Sequence, residues 1–181
     1  MILPIYVYGQ SALRKPTEEI GPDYEGLKEL IDNMYETMYN ASGVGLAAPQ
    51  IGLSIRLFVV DADVMGDEYE ECKGFKRAFI NPEITNKSQE TVSMEEGCLS
   101  LPGINESVSR AKWVEVRYQD ENMQEHEEKI EGYAARVFQH EYDHLEGHVF
   151  TDRISPLRRQ LIKNKLNNIA KGKTACRYKT K

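Results

Sequence analysis

Apolar residues fall at helix spacing over Leu27, Leu30, Ile31, Met34 and Met38, after Pro22-Asp23 and before Gly43. That spacing predicts an N-terminal helix opened at Pro22-Asp23. Strand-like runs follow at Ile55 to Val60, Arg77 to Ile84 and Trp113 to Tyr118. The last leads through Gln119-Asp120-Glu121-Asn122, a turn signal, into a polar return segment ending at Ile130. Residues 61–73, rich in Asp, Glu and Gly, read as an exposed loop or insertion. Helical spacing resumes from about Tyr133 to Glu146, with Gly147 placed as a C′ residue. A last helix starts at Ser155-Pro156, an N-cap followed by proline at N1. One helix, a run of strands and two helices predict an α+β fold. No internal repeat or Pro/Ser-rich linker divides the 181 residues, so one domain is expected over 1–181, with 153–181 as a basic C-terminal helix and tail.

Composition adds little to this until charge is mapped. An apolar fraction of 40% and a charged fraction of 29% are ordinary for a soluble globular chain. No apolar run approaches the roughly 20 residues a membrane span needs. The opening MILPIYVYGQ is too short in its apolar stretch for a signal peptide, so a cytoplasmic, reducing location is expected. Cys72, Cys98 and Cys176 are odd in number and widely spaced, against a disulfide framework. The net charge of −6 conceals an asymmetry: ten basic residues and no acid lie from Arg153 to Lys181, against 13 basic and 29 acidic residues before them. A basic end on an acidic body suits a polyanionic partner, although a lysine-rich end can also be merely solvated.

The sharpest chemistry is His140-Glu141-Tyr142-Asp143-His144. Residues four apart share a helix face, so both imidazoles can reach one cation while Glu141 leans toward it. A bound cation acidifies water, and a neighbouring carboxylate moves the proton. An ordinary surface helix can carry such a pattern by chance. Ala134, Val137, Phe138 and Leu145, however, give this segment an apolar side that belongs in a core.

Two histidines do not complete a catalytic site, which usually takes three protein ligands and a water. No glutamate occurs after Glu146, and Phe150 stands where a metzincin would place its third histidine. His148 lies past the expected helix break and is a poor ligand. The third ligand therefore comes from upstream, where His126, Cys72 and Cys98 are available. His126 sits in a very polar strand and Cys72 in the acidic loop. Cys98 follows a glycine within Glu95-Glu96-Gly97-Cys98-Leu99-Ser100-Leu101-Pro102, where close backbone approach is permitted.

Three ordered segments together resemble peptide deformylases: Gly43-Val44-Gly45-Leu46-Ala47-Ala48-Pro49-Gln50-Ile51-Gly52, Glu96-Gly97-Cys98-Leu99-Ser100 and His140-Glu141-Tyr142-Asp143-His144. The resemblance spans about residues 43 to 150. It implies antiparallel strands packed around a central metal-binding helix, with an N-terminal and a C-terminal helix. It implies one metal per chain on Cys98, His140 and His144, Fe²⁺ by preference with Zn²⁺ or Ni²⁺ possible. Glu141 is then the general base and acid, while the Gln50 amide and Leu99 N–H hold the oxyanion. Gly43, Val44, Gly45 and Gly97 would face the substrate, and Val44, Tyr133 and Val137 the methionine side chain. Glu96 and Arg110 match a charged pair that supports the site; Asn105 stands where some members carry arginine. The implied activity removes the formyl group from the N-terminal methionine of nascent polypeptides, and the basic C-terminal helix would dock on the ribosome. The apolar arc of Leu157, Leu161, Ile162, Leu166 and Ile169 should pack on the body. Arg158 and Lys165 interrupt that arc and would have to snorkel.

Three other functions compete. Gly43-x-Gly45-x-x-Ala48 formally fits a dinucleotide fingerprint, but a helical pattern precedes it and Pro49 follows, so no nucleotide cofactor is expected. A metallopeptidase cutting ordinary peptide bonds would use the same ion and glutamate. A non-catalytic metal module or basic-tailed nucleic-acid binder would need neither Glu141 nor an open coordination position.

Overall fold

The computed structural model describes all residues, Met1–Lys181. Helix α1 spans Leu27–Asn40. Strands β1 (Gly45–Ala47), β2 (Leu57–Asp61), β3 (Lys76–Lys87), β6 (Trp113–Gln119) and β7 (Glu125–Glu131) form an antiparallel sheet in the order β1-β2-β3-β6-β7. Strands β4 (Thr91–Cys98) and β5 (Leu101–Ala111) form a separate hairpin. Helix α2 covers Gly132–Leu145, and the short helices α3 (Pro156–Leu161) and α4 (Lys163–Ala170) follow.

The sheet is buried on both faces at β1 and β2, which explains the unbroken apolar run of β2, whereas β6 and β7 bury one face only. Leu57 and Val59 join Ile31, Met34 and Met38 of α1, while Phe58 and Val60 point into the α2 side. There Phe58, Phe79 and Phe138 meet with ring centroids 5.0–5.1 Å apart. Burying one such side chain contributes roughly 1.5–3 kcal/mol. The other side of α2 meets the hairpin, so α2 is the central helix between two β layers, as the resemblance implied. Its end is a Schellman turn: Gly147, at φ 77°, donates to His144 O and His148 to Asp143 O.

Four sequence expectations need correction. Helix α1 starts after Gly26 (φ 73°), because Pro22 and Asp23 are taken up by a turn closed from Tyr24 N to Gly21 O. The hairpin was unforeseen: β5 buries alternate residues Ile104, Glu106, Val108 and Arg110, and two of those four are charged. Residues 61–73 are more than an exposed loop. They form two 3₁₀ turns, bury Cys72 completely and pack Met65 and Tyr69 on the α2 core.

The C-terminal region is likewise not one helix and a tail. Ser155 caps α3 as expected, accepting from Arg158 N, but the chain breaks phase at Ile162. Ile162, Leu166 and Ile169 pack on β5, whereas Leu157 and Leu161 stay 69% and 62% exposed. Arg158 does not snorkel; it pairs with both oxygens of buried Glu106. Residues 179–181 return to pair with the segment around Ile5.

Candidate metal centre

The hairpin and α2 bring the three implied ligands together. Pairing jumps from Gly97–Asn105 to Cys98–Leu101, and this irregularity sets Cys98 at the tip, beside the two-residue turn Leu99-Ser100. His140 and His144 lie one turn apart on the buried side of α2. One donor atom from each of Cys98, His140 and His144 lies within 4.8 Å of the others. The Cys98 Sγ to His144 Nε2 distance is 3.4 Å. His126 and His148 are outside this group, paired on the surface with Asp120 and Asp152. Cys72 is a core thiol that burial pushes up to about 11, so it stays protonated.

A buried charge network fixes the His140 ring, whereas His144 Nδ1 is buried without a partner. His140 Nδ1 meets Glu96 Oε1 at 2.8 Å, leaving Nε2 free. Arg110 grips Glu96 with Nε and Nη2 and reaches Asp143 with Nη1 at 2.9 Å. Arg136 also donates to Glu96, and Arg153 donates to both oxygens of Asp143. Burial opposes ionisation of Glu96, but hydrogen bonds from His140 and Arg110 hold it down at about 2. Burial pulls His144 down to about 3, which leaves a neutral imidazole fit to ligate. Burial opposes charge on His140 too, yet Cys98 and Glu96 raise it well above the ordinary value. The surroundings thus favour positive charge at that point.

Those residues fit a metal. A thiol and two imidazoles converge, and Glu141 Oε1 is buried beside them with no partner in the protein. Burial lifts the Glu141 carboxyl to about 7, with the charge of His140 pulling the other way. Gly45 allows this packing: a Cβ there would sit 2.6 Å from Glu141 Oε2.

Gln50 is oriented by its neighbours. Its Oε1 accepts from Ala47 N at 2.9 Å, so its NH₂ faces the site, 3.1 Å from Ser100 Oγ and 3.6 Å from Cys98 Sγ. Gly43 lies against Leu99, where a Cβ would meet Leu99 Cδ1 at 2.7 Å. A cleft of about 610 Å³ opens over these groups, lined by Gly43, Val44, Gly45, Gln50, Gly97, Cys98, Leu99, Tyr133, Val137, His140 and Glu141. His144 lies beneath it, 1% exposed.

Sequence reasoning missed Arg136, Asp143 and Arg153, and also Ala175–Tyr178, which line the same cleft. Arg136, four residues before His140 on the same helix, could have been suspected as a buried partner of its surroundings. Tyr178 carried no such signal.

Comparison with known proteins agrees with the geometry. Residues 2–160 match the family model described as polypeptide deformylase. The peptide deformylase of Flavobacterium johnsoniae is 52% identical, covering 100% of this chain and 96% of that protein. That of Salinibacter ruber is 48% identical over 98% and 93%. The crystal structure of peptide deformylase from Thermus thermophilus superposes with a TM-score of 0.85 at 41% identity, covering 95% of this chain and 99% of that one. A general peptidase reading is set aside by this match and by the cysteine among the ligands. The chain belongs to the peptide deformylase family, metal-dependent hydrolases that remove the N-formyl group from the N-terminal methionine of new polypeptides.

Proposed function

We propose that Glu141 carries the proton in this deformylation, that Gln50 and Leu99 hold the oxyanion, and that the resident ion is Fe²⁺ on Cys98, His140 and His144. The observation that carries this reading is the convergence of those three donors beside the buried, partnerless oxygen of Glu141. When bound, the cation supplies Lewis acidity that acidifies water and polarises a carbonyl. Glu141 accepts the proton of the attacking water as its oxygen adds to the formyl carbon. The C–N bond then breaks, Glu141 returns the proton to the leaving amine, and formate and a free N-terminal methionine result. A carboxyl near 7 suits both halves of that transfer.

The Gln50 NH₂, held by Ala47 and Ser100, and the Leu99 backbone N–H would donate to the carbonyl oxygen as charge develops. Val44, Tyr133 and Val137 would take the methionine side chain, and the backbone of Gly43 to Gly45 would pair with the peptide as an added strand. A thiolate with two imidazoles suits Fe²⁺, Zn²⁺ and Ni²⁺ alike; the family resemblance favours iron.

The test compares formyl-Met-Ala-Ser with its unformylated counterpart, using protein purified without air and assayed for metal. New amine from the formyl peptide only, with iron bound, is expected. Glu141→Ala should keep the metal and lose turnover, whereas Cys98→Ala should lose the metal. Equal metal loss in both would make Glu141 a ligand instead.

We further propose one catalytic unit over 1–181, working in the cytoplasm where nascent chains emerge. No helix is long and apolar enough to cross a membrane. Ribosomal RNA is the polyanion that Arg159, Lys163, Lys171 and Lys173 would meet, with exposed Leu157 and Leu161 beside them. Changing those four basic residues to Gln should abolish co-sedimentation with ribosomes and spare hydrolysis of a short formyl peptide. Pelleting of the variant at physiological salt would end the docking proposal.

A further inference from the structure

The segment after α4 is drawn back across the site. Gly172 (φ 71°) turns the chain, and its last residues tie to the N-terminal segment. Ile5 N donates to Lys179 O at 3.0 Å, Lys181 N to Ile5 O at 2.9 Å and Val7 N to Lys181 O at 3.1 Å. Just before this tie, Ala175–Tyr178 pass the mouth of the cleft and line it. The family model matches only to residue 160, although the Flavobacterium johnsoniae relative covers this stretch as well.

Two adjacent side chains of the segment grip different loops of the site. Arg177 Nη2 donates to Ala41 O at 3.0 Å, where α1 ends and the chain enters Ser42-Gly43. The Tyr178 hydroxyl donates to Leu99 O at 2.5 Å, one residue past Cys98. The half-buried Tyr178 ring packs with Leu99 against the α1 core. Leu99 is thus held from both sides, by Tyr178 and by the bare backbone of Gly43. Leu99-Ser100 is a two-residue turn, so nothing within the hairpin ladder fixes the Leu99 peptide. Ser100 is held by Tyr6, Tyr8 and Gln50, and the C-terminal segment supplies the constraint on the Leu99 carbonyl.

We propose that Ala175–Tyr178 form a working wall of the substrate cleft and that Tyr178 is a positioning residue, its hydroxyl fixing the Leu99 turn beside the metal ligand. The effect on catalysis rests on the reading of Leu99 N–H as an oxyanion donor; the effect on the turn does not. Arg177 does the same for the loop that begins the Gly43–Gly45 edge, so it acts on peptide binding.

Tyr178→Phe removes one oxygen and leaves the ring and the backbone tie in place. With rates normalised to bound metal, kcat for formyl-Met-Ala-Ser should fall roughly three- to tenfold, the scale of one hydrogen bond, with KM little changed. Amide exchange at Leu99, read by NMR on the zinc-loaded protein, should quicken while Tm holds. Arg177→Ala should instead raise KM. Wild-type kcat and wild-type Leu99 exchange in Tyr178→Phe would overturn the proposal, because the tail would then only tie the termini. Faster exchange with unchanged kcat would support the positioning role and remove Leu99 N–H from the oxyanion site. Failure of the wild-type protein to release formate would be the separate failure of the deformylase mechanism.

Discussion

The two β layers that flank α2 are both antiparallel, yet they are held to the helix by opposite means. The five-stranded sheet meets α2 through Phe58, Phe79 and Phe138, an apolar contact indifferent to pH. The β4–β5 hairpin meets it through Glu96 and Arg110, which engage Arg136, His140 and Asp143 inside the protein. Apolar packing tolerates small errors of position, whereas a buried ion network is either complete or costly. The layer that delivers Cys98 is therefore the one whose position is fixed most strictly, and the sheet serves as the scaffold.

The largest effect should come from breaking each attachment in turn. Arg110→Met leaves Glu96 and Asp143 short of a buried partner and should cost about 3–5 kcal/mol. Phe138→Ala leaves a core cavity and should cost about as much, roughly 3–5 kcal/mol. Their pH dependence should differ. Glu96 is held down at about 2 against an ordinary 4.5, so the stability it contributes is fully present above 4.5 and lost as pH falls through about 2. Urea unfolding with chelator present should therefore show the Arg110→Met deficit shrinking between those values, and the Phe138→Ala deficit staying level. Parallel deficits would mean that the hairpin, too, is held by apolar packing.

A smaller loss, read in turnover, should follow at the hairpin tip. Gln50 comes from the sheet side and points its NH₂ at the tip, so it bridges the two layers at the reacting centre. Gln50→Ala should lower kcat by the equivalent of roughly 2.7–4 kcal/mol and leave KM nearly alone, as expected for a donor used in the transition state. A change confined to KM, measured on the same formyl peptide, would make Gln50 a substrate clamp.

The same contrast explains what could be read from the residues. The sheet was legible because Leu57 to Val60 and Trp113 to Tyr118 spell apolar strands, and α2 because its apolar side accompanies His140 and His144. The hairpin was not legible as a strand pair, since Glu106 and Arg110 occupy inward positions where a period-2 pattern demands apolar residues. Its Cys98 was one of three candidates for the third ligand, and the resemblance of a short motif singled it out without knowledge of the strand. Tyr178 was out of reach altogether. Its place depends on Ile5 meeting Thr180, a pairing across almost the whole chain that no local periodicity announces.

The smallest effect concerns the acidic stretch 61–73, which ties the sheet side to the cleft wall. Tyr69 stacks on Tyr133 with centroids 4.6 Å apart and planes 11° from parallel. Glu71 Oε1 accepts from Tyr133 N at 2.8 Å, satisfying one of the free N–H groups at the start of α2. Tyr133 in turn lines the cleft, where we propose that the methionine side chain sits. The insertion therefore braces a pocket wall through one stack and one hydrogen bond. An aromatic pair is worth about 0.5–1.5 kcal/mol beyond the area it buries. Tyr69→Ala should accordingly raise KM for a formyl-methionyl peptide by roughly two- to tenfold and barely move kcat. Tyr69→Phe, which keeps the stack, should restore the wild-type KM. If Tyr69→Ala binds the peptide as wild type does, the stack is only surface packing and the methionine pocket is set by α2 alone.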